Sequence, residues 1–204
     1  MPVIVVANPK GGVGKTTLST NIAGYFASQG HGVMLGDADR QQSSKLWLGL
    51  RPPNARPIQS WDVRDGVAKP PKGVSHVVLD TPGGLHGGSF KDVIKVADKV
   101  IVPLQPSVFD IFATRAFLDE LAKSSHASKI QVGIVGMRVD SRTIAADKLQ
   151  EFVGGLGLPV LGFLRDTQNY IHLAARGLTL WDVAPSRVEK DLEQWQALCR
   201  FLDQ

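Results

Sequence analysis

Short runs of apolar residues bounded by turn formers recur along the chain: Val3 to Ala7, Gly32 to Leu35, Val74 to Leu79, Lys99 to Leu104, Gln131 to Met137 and Pro159 to Leu164. Each is rich in Val, Ile and Leu and nearly continuous in apolar character, the pattern of a strand buried on both faces. Between them lie segments with helical spacing: Thr17 to Gln29, Ser89 to Ala97, Ser107 to Lys123 and Ile144 to Val153. Strand and helix alternating in this way call for right-handed crossovers and a mainly parallel sheet covered on both faces. The expected class is three-layer α/β with a doubly wound sheet. The last segment, Ser186 to Leu202, sets Val188, Leu192, Trp195, Cys199 and Leu202 on one stripe and predicts an amphipathic C-terminal helix. The stretch from about 50 to 73 breaks the rhythm with Pro52, Pro53, Pro57, Pro70 and Pro71. It reads as an irregular surface excursion with one short strand at Pro57 to Trp61, inside a single domain over 1–204.

Composition narrows the function classes. A chain of 204 residues with 43% hydrophobic and 21% charged residues is neither disordered nor fibrous. Its single cysteine, Cys199, cannot form an internal disulfide, and zinc or iron–sulfur sites need several clustered ligands. That points to a reducing compartment. The first apolar run has no basic segment before it, and no stretch reaches the roughly 18 apolar residues of a membrane span, so the expected location is cytoplasmic. The formal net charge is +4, with Arg51, Arg56, Arg64, Lys69 and Lys72 clustered against Asp62 and Asp65. Such a balance permits attraction to nucleic acid without establishing it.

The chemistry is concentrated where the first strand meets the first helix. Residues 10 to 17 read Lys10-Gly11-Gly12-Val13-Gly14-Lys15-Thr16-Thr17. A glycine-rich turn there lets backbone N–H groups close around phosphate oxygens, and the helix N-terminus adds its positive end. Lys15 would reach the β- and γ-phosphates and the Thr16 hydroxyl would ligate Mg²⁺. Pro9 stands where the ordinary loop opens with glycine, and Lys10 is a second lysine at the entrance. From spacing alone, Lys10 is equally a solvated surface lysine or a group reaching a nucleotide on a facing subunit. After the second apolar run come Asp37 and Asp39, two carboxylates placed to hold metal-bound waters and orient an attacking water, or else to cap the next helix. A further run ends Val77-Val78-Leu79-Asp80-Thr81-Pro82-Gly83-Gly84, a strand delivering a carboxylate to a flexible turn, which reads as a Walker B aspartate with a switch loop behind it.

These three boxes resemble those of the ParA/MinD superfamily of deviant Walker A P-loop ATPases, and the likeness covers nearly the whole chain. It implies a P-loop NTPase fold, ATP and Mg²⁺ as cofactors, and an ATP-sandwich homodimer whose early lysine, here Lys10, crosses the interface. By the same likeness Lys10, Lys15 and Asp39 are catalytic, with Asp39 the hydrolytic residue. Thr16, Asp37 and Asp80 form the metal shell, and 10–17 cradle the phosphates. Arg40 stands where the family usually has proline. The strand end at Gly136 to Thr143 resembles the family's base-proximal segment. The position that usually holds an asparagine is Met137, so Met137, Arg138 and the loop Leu164-Arg165-Asp166 are the expected adenine neighbours.

Nitrogenase iron proteins share the boxes but need cysteines that this chain lacks, and tyrosine autokinases need tyrosine-rich tails where only Tyr25 and Tyr170 occur. The resemblance is strongest to short ParA-type partition ATPases. It implies ATP-dependent, sequence-indifferent DNA binding, nucleoid association and a ParB/ParG-like activator that stimulates hydrolysis, so that a plasmid, chromosome region or protein cargo is positioned. The expected DNA contacts are Arg142, Lys148 and Arg165, with Lys91, Lys95 and Lys99 as a weaker helical stripe. The alternatives are a MinD-like membrane-associated positioning ATPase and a dethiobiotin- or cobyrinate-type ligase. Stable membrane insertion is not expected, because the last helix carries Glu189, Asp191, Glu193 and Asp203 against Lys190 and Arg200.

Overall fold

The computed structural model describes residues 1–63 and 73–204. Arg64, Asp65, Lys69 and Lys72 of the basic cluster lie outside the described residues. The apolar runs become strands β1 (Val3–Val6), β2 (Val33–Asp37), β4 (His76–Asp80), β5 (Lys99–Leu104), β6 (Gln131–Gly136) and β7 (Val160–Phe163), and the Pro-rich stretch contributes the short β3 (Gln59–Trp61). They form one sheet, ordered β3-β2-β4-β1-β5-β6-β7, in which every pairing is parallel. The three-layer α/β expectation holds.

The period-two geometry of a strand sorts the side chains of β1 onto two faces. Val3, Val5 and Ala7 join one core with Phe90, Ile94, Phe117 and Leu149, while Ile4 and Val6 join the other with Leu18, Ile22, Phe26 and Trp195. Both faces are covered, so these runs could not afford polar alternation. The helices doing the covering are α1 (Lys15–Ser28), α3 (Gly87–Val96), α4 (Val108–Ala122), α5 (Ile144–Gly154) and α7 (Glu189–Leu202). In α7, Trp195 and Leu198 are completely buried, so its apolar stripe is spent on the body. Among the described residues no helix is long and apolar enough to cross a membrane.

Two short helices, α2 (Ser43–Leu50) and α6 (Gln168–Ala174), escaped the sequence pattern because tertiary contacts define them. The turn after α2 is pinned by Arg51, whose guanidinium forms a two-pronged, buried ion pair with Asp182 at 2.9 Å. The lysine stripe is corrected. Lys99 lies in β5, is 6% exposed, and gives its ammonium to the carbonyl oxygens of Phe201 and Leu202 at the end of α7.

The order of strands positions the site. The chain leaves β1 for β2 on one side and passes from β4 to β5 on the other, so the carboxyl ends of β1, β2 and β4 meet at a topological switch point, where open α/β sheets bind ligands.

Candidate nucleotide site

The loop between β1 and α1 wraps a cavity of about 450 Å³ walled by Gly11, Gly12, Gly14, Lys15, Thr16 and Thr17 on one side and Asp39, Gln41, Ser43, Thr81, Gly83 and Arg138 on the other. Gly12 and Gly14 have φ of 76° and 97°, a left-handed region that only glycine enters without strain. Beneath the loop, the buried Asn8 accepts the Lys10 amide at 2.9 Å and donates to Pro103 O and Thr114 Oγ1. Gln105 Nε2 donates to Gly12 O at 3.0 Å, so the segment after β5 also braces the loop. The switch segment lies directly against it: Gly84 N–H donates to Pro9 O at 2.6 Å, and a Cβ on Gly83 would come within 3.3 Å of Gly11 Cα.

Lys15 folds back so that its ammonium donates to Lys10 O at 2.7 Å, ringing the loop from inside. Burial lowers the pKa of this lysine, opposed by the nearby carboxylates of Asp80 and Asp39. The backbone of Lys10 is thus fixed at both ends. Its ammonium makes no ion pair among the described residues.

Asp80 ends β4 beside Asp37 at the end of β2, the two being register partners in adjacent strands. Asp80 Oδ2 accepts hydrogen bonds from Thr16 Oγ1 and Ser44 Oγ, both at 2.7 Å. Its other oxygen, Oδ1, is buried without a partner among the described residues. Burial pushes the Asp80 carboxyl up to about 6, with the Ser44 and Thr16 bonds and Lys15 pulling it down and Asp37 adding to the rise. Burial also raises Asp37, against three amide donors: Asp39 N on Oδ1, and Ser44 N and Lys45 N on Oδ2. Asp37 therefore caps the N-terminus of α2 as well as facing Asp80. Asp39 lies on the cavity wall, held by its Oδ1 accepting Gln41 N–H and by Gln42, whose amide reaches the Asp37 and Asp39 carbonyl oxygens.

Those residues fit a magnesium ion. An orphaned, buried carboxylate oxygen beside a hydroxyl is a donor set lacking one charged partner, and Mg²⁺ typically takes one or two such groups with substrate phosphates completing its shell. Among the described residues no three His, Cys, Asp or Glu side chains converge on a metal position, so an all-protein cage is not what is built here.

The expected adenine neighbours fare differently. Arg138 reaches the cavity wall, at a φ of 52°. Met137 is 4% exposed and packs under the loop, its Cε 2.7 Å from where a Cβ on Gly14 would lie. Leu164 is buried, and both its backbone groups are already used, its N–H on Gly136 O and its carbonyl by Val139 N–H. Asp166 is exposed and away from the cavity wall. Arg165 clasps Asp191 through Nε at 2.6 Å and a second nitrogen at 3.2 Å, its side chain remaining 38% exposed. Arg142 and Lys148 are exposed but paired with Asp140 and Glu151. Sequence reasoning gave no role to Asn8, Ser44 and Gln105, whose side chains donate to Pro103 and Thr114, to Asp80 and to Gly12 respectively, far along the chain; nothing local in the sequence marks them.

Comparison with known proteins follows this geometry. The model of the CobQ/CobB/MinD/ParA nucleotide binding domain matches residues 4–180. The chain is 29% identical over 190 residues to Maintenance of carboxysome distribution protein A of Gloeobacter kilaueensis, covering 87% of this chain and 83% of that one. The protein of the same name from Halothiobacillus neapolitanus is 30% identical over 167 residues, covering 78% and 76%. In structure, the MinD cell division protein of Aquifex aeolicus superimposes with a TM-score of 0.76 over 100% of this chain and 98% of that one, at 20% identity.

Proposed function

This chain belongs to the CobQ/CobB/MinD/ParA nucleotide binding domain family, within its ParA/MinD ATPases, and on that premise we propose a dimerising, Mg²⁺-dependent ATPase that holds DNA without sequence preference and positions a cargo. The observation that carries the reading is the pair of lysines: the Lys15 ammonium turns inward onto the loop, whereas Lys10, the first residue of the loop, makes no ion pair among the described residues. A single nucleotide has its lysine in Lys15. A second is of use where two nucleotide sites face each other and phosphate charge accumulates.

The amides of 11–16 and the Lys15 ammonium bind the phosphates, Lys15 exchanging its carbonyl partner for phosphate oxygen. Thr16 and Asp80 would hold the cation, which when bound neutralises charge on the β- and γ-phosphates. Asp39 orients the attacking water, its loop fixed by Gln41 and Gln42. The switch segment 81–84, resting on Pro9 and Gly11, registers the γ-phosphate. Arg142 and Lys148 are the DNA contacts retained. Solvent screens exposed pairs such as theirs, so phosphate can displace the carboxylates. The relatives named for carboxysome distribution favour a protein cargo, and the family resemblance implies an activator protein that stimulates hydrolysis. The buried stripe of α7 counts against lipid binding, and the uncommitted Lys10 counts against a ligase.

Light scattering with ATP and Mg²⁺ tests the reading in the slow-hydrolysing Asp39→Ala background. That variant should accumulate dimer and retain DNA in a salt-sensitive manner, and adding Lys10→Ala should abolish both while leaving nucleotide affinity within about twofold. A double variant that still dimerises and holds DNA would make Lys10 an ordinary surface lysine.

A further inference from the structure

The first turn of α2 contains a residue that the machinery above leaves unused. Ser44 is completely buried, and its two donors end on carboxylates of different strands: the amide on Asp37 Oδ2 at 2.8 Å, the hydroxyl on Asp80 Oδ2 at 2.7 Å. The two bonds have separable purposes. The amide bond belongs to the cap of α2, which any residue could supply, and Lys45 N–H shares it. The hydroxyl bond contributes nothing to that cap.

A carboxylate at a strand end is free to rotate about its last side-chain bond unless donors fix its plane. Asp80 Oδ2 is gripped from two elements, by Thr16 of α1 and Ser44 of α2, which leaves Oδ1 as the buried oxygen with no partner among the described residues. Thr16 is itself the residue assigned to the cation, so its oxygen has two tasks. Ser44 has only the one. We propose that Ser44 is the positioning residue of Asp80, holding its carboxylate so that Oδ1 is presented to the cation and its water shell. The inference rests on the Mg²⁺–nucleotide reading above and extends it to a residue of α2. The same side chain links that helix to the strand bearing Asp80, so movement of α2 is transmitted to the cation site.

The test separates metal from nucleotide. A fluorescent ADP analogue is titrated into wild type, Ser44→Ala and Ser44→Cys, in EDTA and across a Mg²⁺ series. Cysteine nearly preserves the volume and retains only a weak donor, which keeps the test valid should the alanine variant fold poorly. Outer-shell partners of metal ligands typically account for about 10–100-fold in metal affinity. Both variants should therefore need about tenfold more Mg²⁺ for half-maximal tightening, with affinity in EDTA unchanged. An unchanged Mg²⁺ midpoint overturns the proposal, as does an equal loss of affinity with and without Mg²⁺. A wild-type chain whose nucleotide binding ignores Mg²⁺ overturns the underlying reading as well, which distinguishes the two failures.

Discussion

Replacing Arg165 by alanine should unfold this protein more readily instead of merely weakening its hold on DNA. The guanidinium lies on Asp191, which is 0% exposed and whose remaining donor is Asn169 Nδ2 at 2.6 Å. Removing one partner of a buried pair costs about 3–5 kcal/mol, because the other charge is left unpaired. Two features of the site reduce that here. The Arg165 side chain is 38% exposed, so water can enter the space it vacates, and Asp191 sits in the first turn of α7, where the helix dipole favours a negative charge by about 0.3–1 kcal/mol. The expected loss is about 2–3 kcal/mol, or roughly 4–12 °C in melting temperature for a chain of this length. Urea and thermal unfolding of the nucleotide-free protein measure it, with DNA retention expressed per folded molecule. Arg142→Ala is the contrasting variant: its partner Asp140 is exposed, so the melting temperature should stay at the wild-type value while DNA retention falls. Arg165→Ala with wild-type stability and lost DNA binding would refute the argument and return Arg165 to the DNA surface.

Lys15→Gln should abolish nucleotide binding, since the amide keeps the contact to Lys10 O but brings no charge to the phosphates; a fluorescent ATP analogue reports it, and wild-type affinity would contradict the assignment. A pH effect is expected at the opposite end of the sheet. His76 stacks on Phe26 at 4.2 Å and lies the same distance from His31, and burial, aided by His31, the N-terminal amine and Lys99 against Asp203, lowers its pKa to about 4. The folded state thus disfavours the protonated ring, so stability is full above the ordinary histidine pKa of 6.5 and is lost as pH falls from there towards about 4. Melting curves over that range should show the decline, and His76→Phe, which keeps the stack, should flatten it.

Hydrophobic periodicity determined the layers of this fold and most of its strands, because a strand covered on both faces can carry no polar alternation, and that constraint is written locally. It likewise marked 10–17, Asp39 and Asp80, since a phosphate loop and a strand-end carboxylate are matters of consecutive residues. Local pattern failed where a side chain's partner is remote. Lys99 continues a helical spacing from Lys91 and Lys95, yet its ammonium caps α7 from within a strand. Arg165 reads as a loop cation and is half of a buried pair closed only when α7 packs against β7. Met137 occupies a position where a polar residue would serve the base, and packing beneath Gly14 turned it into support for the phosphate loop. Ser44 is unremarkable in the sequence, and its hydroxyl acquires a purpose only because the sheet order sets β2 beside β4, bringing Asp80 within 2.7 Å. The residues proposed to carry phosphate chemistry are encoded over a few neighbouring positions, whereas which polar groups are free to act depends on what the tertiary structure has already paired.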